Sequence, residues 1–410
     1  MTEQLKLKLN DSKATRWGAL VIVAFTMMAA YYVNDVVAPL KTMLETDLAW
    51  SSTDFGFFTG GYSFLNVFFL MLIWGGLILD RFGIRFTGKL ATILMVGGTA
   101  LEYYAMTGLA GADATLFGIN EIFGYKTGVF VAFAGYSIFG VGAEVAGITV
   151  SKIIAKWFKG KELATAMGVQ VALARIGSQA GYAVAIPLAR AFGISTPVLL
   201  GLVLLLGGMI AFFVFAVMDK KLDKQMEAAA IAAGTEDEEE KFSFKDVKNI
   251  LVNPGFWLIA LLCVLFYSCV FPFQKFASEL MIIKYGINEN VAGTFAGLPA
   301  LGALILTPVF GGFIDKRGKS ASIMLLGSAM LICVHFIYAI PDINYWLVAI
   351  VLMIILGIAF SLVPSAMWPA VAKIFPVSQL GTAYALIFFI QNIGLWGIPT
   401  LIGWVLDAYC

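Results

Sequence analysis

Glu144 and Arg175 are the residues of this chain best placed to do chemistry. They lie in the stretch 142–178, GAEVAGITVSKIIAKWFKGKELATAMGVQVALARIGS. Apolar sequence surrounds both, and an ionisable side chain there is costly enough that it normally serves a function. The basic turn KWFKGK between them, centred near Phe158, marks one membrane surface. Glu144 precedes that centre by 14 residues and Arg175 follows it by 17. At 1.5 Å per residue they are roughly 21 and 25 Å from the turn, at similar depth on adjacent antiparallel helices. Their faces agree too. Ser137, Gly140, Glu144, Gly147 and Ser151 form one small, polar stripe at helical spacing, and Arg175, Ser178, Gln179 and Tyr182 form another. Lipid-facing positions cannot carry such stripes, so both face a bundle interior or a wet cavity. A guanidinium fork suits a carboxylate, and a carboxylate accepts from an ammonium group, so the pair reads as a receptor for a small zwitterion. The same two residues also read as an ion pair that only fixes helix packing.

The elements that position them are membrane spans. The chain has 410 residues, 60% hydrophobic and 13% charged. Eleven apolar spans are expected, at approximately 17–40, 54–79, 86–109, 127–155, 162–189, 194–218, 255–283, 290–314, 320–340, 345–372 and 379–404. Each can cross a bilayer core of about 30 Å. A transmembrane β-barrel would instead show alternating ten-residue segments. The fold class is an all-α polytopic membrane protein. Of the 27 Lys and Arg, 21 fall before the first span or in alternate connections and four (Lys41, Lys126, Arg190 and Lys284) in the others. That bias puts the N-terminus in the cytoplasm.

Several functions are excluded or unsupported. The net charge of +1 points to no nucleic-acid partner. Cys263, Cys269, Cys333 and Cys410 form no metal-ligand pattern. There is no phosphate loop and no nucleophile–base pairing, so neither an enzyme, a cofactor nor ATP-driven transport is expected. The N-terminus lacks a cleavable signal. The partners expected are the lipid bilayer and a small peptide-like or amino-acid-like molecule.

Residues 219–250 are highly charged and read as a cytoplasmic linker between two halves, 1–218 and 251–410, with FSFKDVKNIL at its end able to form an interfacial helix. The halves share a repeat. Gly76, Asp80, Arg81 and Gly83 recur 235 residues later as Gly311, Asp315, Lys316 and Gly318, each set following a span. Parallel repeats about an axis normal to the membrane are a known transporter plan.

With Arg85, that motif resembles the cytoplasmic loop signature of the major facilitator superfamily, although Ile84 stands where a second base is common. The resemblance covers the whole chain and implies two pseudo-symmetric six-helix bundles. It also implies that Asp80, Arg81 and Arg85 make state-dependent contacts that help hold the outward-open form, and the turns at 80–85 and 315–319, the latter with Asp315, Lys316 and Arg317, are expected to bias the two states. The family has twelve spans, so a twelfth is expected beyond Cys410 or from an accessory subunit.

A closer resemblance, to the lysosomal dipeptide-transporter branch of the superfamily, rests on GAE at 142–144, WFKGKEL at 157–163, GVQ at 168–170, ARIGS at 174–178, FPF at 271–273 and WP at 368–369. It implies that Glu144 and Arg175 hold the amino and carboxyl ends of a dipeptide, and that transport is uniport. Tyr31, Tyr62, Lys275, Trp368, Gln391 and Asn392 are expected as further wall residues. Lys275 reads either as a partner of Glu279, one turn on, or as a contact for a substrate carboxylate. Asp35 and Glu102 read as solvated interfacial acids, or as proton sites if transport is coupled. His335 reads as structural. The expected function is alternating-access transport of small zwitterions, dipeptides first. The alternatives are a proton-coupled symporter of peptides, amino acids or organic anions, and a membrane subunit or sensor that does not transport. No glycosylation acceptor falls on an outer segment, which favours a plasma (inner) membrane over a lysosomal one.

Overall fold

The computed structural model describes residues 8–111, 114–233, 244–375 and 377–409, with the side chains of a few helical residues, Asp315 among them, outside the description. The N-terminal half comprises α1 (Lys13–Val36), α2 (Lys41–Leu48), α3 (Ser52–Phe68), α4 (Met71–Gly108), α5 (Thr127–Trp157), α6 (Leu163–Phe192) and α7 (Thr196–Ala233). The short α8 (Phe244–Val252) follows. Then come α9 (Pro254–Ile283), α10 (Glu289–Ala296), α11 (Leu298–Arg317), α12 (Ser320–Ala339), α13 (Trp346–Ile374) and α14 (Val377–Tyr409). A two-stranded hairpin, Glu121–Ile122 with Tyr125–Lys126, lies between α4 and α5.

Among the described residues eight helices are long and apolar enough to cross a membrane, and the bent pair α3–α4, turned by 58°, makes a ninth. The eleven expected spans follow when α4 is divided at Gly83 and α6 is added. α6 is less hydrophobic than its neighbours because its polar stripe carries Gln170, Arg175 and Gln179. The division of α4 is a backbone event: Gly83 has φ +75° inside the helix. Gly318, its counterpart in the repeat, ends α11 with φ +67°. A left-handed conformation at both positions explains why the repeat keeps a glycine there. The expected linker starts as helix, since α7 continues to Ala233, and its far end forms α8.

Two large hydrophobic clusters divide the helices. One is built from α1–α7 with Phe276 added, the other from α8–α14 with Ala38 and Tyr182 added. The halves meet most closely at the end away from the basic turns. There α3 lies backbone-to-backbone on α14: a methyl group at Gly403 would come within 2.2 Å of the Ser52 carbonyl oxygen, and one at Gly56 within 2.4 Å of that of Pro399. On the other side of the bundle Gly293 of α10 sits equally close to the Tyr182 carbonyl of α6.

Candidate substrate cavity

Between the halves lies a cavity of about 1090 Å³. Its walls run from Thr59 and Pro399, near the close glycine crossings, to Leu77, Asp80 and Val247 near the basic turns. It therefore opens toward the basic end.

The polar stripe of α5 divides by depth. Gly140 sits where α3 crosses, with the Tyr62 carbonyl against it, whereas Glu144, Gly147 and Ser151 line the cavity. α6 divides in the same way. Arg175 lines the cavity, while Gln179 donates to the Thr294 carbonyl at 3.3 Å and Tyr182 to that of Gln274 at 3.3 Å, both across the halves.

Among the described residues Glu144 and Arg175 do not pair with each other. Glu144 Oε1 accepts a hydrogen bond from the Tyr62 hydroxyl at 3.0 Å. The Arg175 guanidinium lies 5.6 Å from the ring centre of Tyr31, on α1, and 4.9 Å from that of Phe360, on α13. A cation held over ring faces keeps its N–H donors in the ring plane of the guanidinium free for a carboxylate. One face of the cavity thus presents an acid and a base, each fixed by an aromatic neighbour and each still able to bond a ligand.

The opposite wall is aromatic. Trp368 donates to the Tyr267 hydroxyl at 3.2 Å, and its ring centre lies 4.8 Å from that of Phe388. Tyr384 donates to the Trp368 carbonyl at 3.1 Å. Gln391 also lines the cavity, and its Oε1 accepts from the Cys263 thiol at 3.3 Å.

Other expected positions differ. Asn392 does not line the cavity; it is buried, and its amide donates to the Phe388 carbonyl of its own helix at 2.9 Å. Lys275 lines the cavity but does not pair with Glu279. It reaches across to α1, donating to Asp35 at 3.0 Å and to the Asn34 carbonyl at 2.5 Å, because in this arrangement α1 lies nearer than the next turn of α9. Glu279 is taken by Lys41 instead, at 2.5 Å. Asp35 and Glu102 are buried rather than solvated. His335 lies 3.1 Å from the Cys269 carbonyl, edge-on to Phe273.

The charged loop residues stand at the mouth and, where described, contact their own half. Asp80 accepts from Lys152 of α5 at 3.0 Å. Arg85 pairs with Asp219 at 3.5 Å and with Asp223, both on α7. Asp219 is fully buried and also accepts from Lys156 at 2.7 Å and from the Trp157 indole at 2.9 Å. Arg81 is exposed beside Phe82, and Arg317 lies over Phe313, while Lys316 is exposed. The side chain of Asp315 lies outside the described residues.

Sequence reasoning missed Phe360, Tyr136, Lys41 and Glu45. Phe360 was within reach, being two turns before Trp368 on one face of α13. Tyr136 donates to the Asn34 carbonyl at 2.8 Å and helps hold the Lys275 junction.

Two bundles of membrane-length helices around a central cavity with charged and aromatic walls define a membrane transporter, and the sequence agrees. A profile of the Major Facilitator Superfamily matches residues 20–397, and the chain belongs to that family. It is 29% identical over 409 residues to the human lysosomal dipeptide transporter MFSD1, covering 96% of this chain and 81% of that protein. A chicken (Gallus gallus) lysosomal dipeptide transporter MFSD1 is 33% identical over 287 residues, covering 67% and 62%. Among solved structures, the nucleoside transporter NupG superposes with a TM-score of 0.69 at 13% identity, covering 95% of this chain and 91% of that one. A bacterial homolog of the human lysosomal transporter Spinster, in an inward-facing and occupied conformation, superposes with a TM-score of 0.66 at 16% identity, covering 97% and 83%.

Proposed function

We propose that the protein moves small zwitterions, dipeptides first among them, by rocking its two halves, 1–218 and 251–410, around the central cavity. One observation carries the reading: Glu144 and Arg175 line one cavity without pairing to each other. An ammonium terminus then bonds Glu144, and a carboxylate terminus takes the fork of Arg175. The aromatic wall accommodates the rest of the molecule. Similarity to the MFSD1 dipeptide transporters supports this choice of solute. The excess of basic residues at the open end supports a cytoplasmic N-terminus, which makes the conformer described here open to the cytoplasm.

The test is uptake of a dipeptide panel into proteoliposomes without a pH gradient, with thermal stabilisation by the same panel. Saturable uptake should fall at least about 30-fold in Arg175→Ala and Glu144→Gln, since removing one partner of a hydrogen-bonded charge pair costs about 2–5 kcal/mol. Unchanged uptake in both variants would exclude this site.

A further inference from the structure

An ionic cluster lies outside the cavity, where the halves meet at the closed end. Lys41 of α2 is almost completely buried. Its ammonium group lies 2.5 Å from Glu45 Oε1, in its own half, and 2.5 Å from Glu279 Oε1, across the seam on α9. It also donates to the Ser52 hydroxyl at 2.8 Å, which in turn donates to Glu45 Oε1 at 2.9 Å. Lys41 thus bridges a carboxylate of each half.

Two carboxylates around one ammonium leave an unbalanced negative charge. Neighbouring groups do not supply the missing cation. Lys275 is committed to Asp35, and Lys126, which donates to the Ala49 carbonyl, pairs with neither carboxylate among the described residues. Asp54 is tied to the N-cap of α3, and Asp407 accepts from the backbone amides of Ser52 and Thr53, so both add negative charge. The Phe276 ring covers the ammonium on its remaining side, 5.8 Å away. Lys41 balances only one of the two carboxylates it holds, and leaving the other charged in this enclosed seam is expensive, so one proton would restore the balance. Glu45 and Glu279 belong to different halves, so they meet only when this end is closed.

We propose that Glu45 and Glu279 form a proton-binding site shared between the halves, completed over Lys41 when this end closes. Closure takes up one proton and opening releases it. Acid therefore favours the form open at the basic end. The inference rests on the alternating-access reading, not on which solute is carried. The cluster is separate from Glu144 and Arg175.

The experiment uses substrate-free protein in nanodiscs of neutral lipid, lacking its native cysteines, with spin labels at Ile119→Cys and Asp342→Cys, one on each half at the closing end. Distance distributions are recorded from pH 8 to 5. The ratio of closed to open populations should rise as pH falls, approaching about tenfold per pH unit for one linked proton. In Glu279→Gln, and separately in Glu45→Gln, the amide replaces the shared proton, so the slope flattens and the closed form persists at high pH. A wild-type ratio that ignores pH, or a slope unchanged in both variants, would overturn the proposal. So would a slope lost only in Glu102→Gln, a fully buried acid whose carboxyl oxygens have no hydrogen-bond partner. Dipeptide binding is not involved, so failure here leaves the cavity reading intact.

Discussion

The two ends of the molecule use ionic contacts in opposite ways. At the basic end the described pairs join helices of one half. Lys152 meets Asp80, and Arg85 and Lys156 meet Asp219 and Asp223. Arg16 meets Glu162 at 2.7 Å. At the other end ionic contacts cross between halves: Lys41 to Glu279, Lys275 to Asp35, Arg190 to Glu289. The first set stiffens each half and the second holds the halves together. This difference identifies which end is the gate in this conformer, and it can be broken in a graded way.

The largest effect is expected at Lys41. Lys41→Ala leaves Glu45 and Glu279 facing each other without a cation, and breaking a buried pair in this way costs about 3–5 kcal/mol. Opening solvates both acids, so the closed population should drop about 100-fold or more at pH 8, read from the label pair across that end. Lys275→Ala strands Asp35 and should give the same shift at about 3 kcal/mol; its thermal midpoint should change less than its open fraction. Gly403→Leu forces α14 off α3, an overpacking that costs about 1–3 kcal/mol and lengthens the label distance. Lys152→Ala should do almost nothing: both partners are substantially exposed, and such pairs are worth less than about 1 kcal/mol. A large shift from Lys152→Ala in the closed fraction would sink the comparison.

Acid sharpens the contrast further. The Asp11 carboxyl is held below its ordinary range by the Lys161 ammonium, and that of Glu162 by the Arg16 guanidinium. A depressed folded-state value means these contacts contribute fully above the ordinary carboxyl range and are lost as pH falls through the folded value. The thermal midpoint should thus show no contribution from Glu162→Gln that varies between pH 5 and 8, the window in which the opposite end is proposed to titrate.

Much of this organisation was legible in the sequence, for local reasons. Hydropathy runs reveal spans, and helical spacing put Glu144 and Arg175 at one depth on facing stripes. The repeat pointed to Gly83 and Gly318 because a left-handed backbone position restricts residue choice. The contacts across the seam were not legible. Lys275 finds Asp35 240 residues away, and the nearer candidate, Glu279, is on its own helix one turn on. Nothing in periodicity ranks a partner in the other half above one on the same helix; only packing does. Phe360 was hidden for a different reason. It is one of 34 phenylalanines, and an aromatic ring declares a role only when a cation is seen above it.

The crossing of α3 on α14 has a mechanical consequence. At Gly56 and Gly403 main chain rests on main chain, and the side chain that reaches across is the short Thr400, whose hydroxyl donates to the Gly56 carbonyl at 3.5 Å. Such a contact has few rotamers to unlock, so it can serve as a pivot pin. In the proposed rocking motion, resistance then falls on the ionic contacts between the halves that flank the pin.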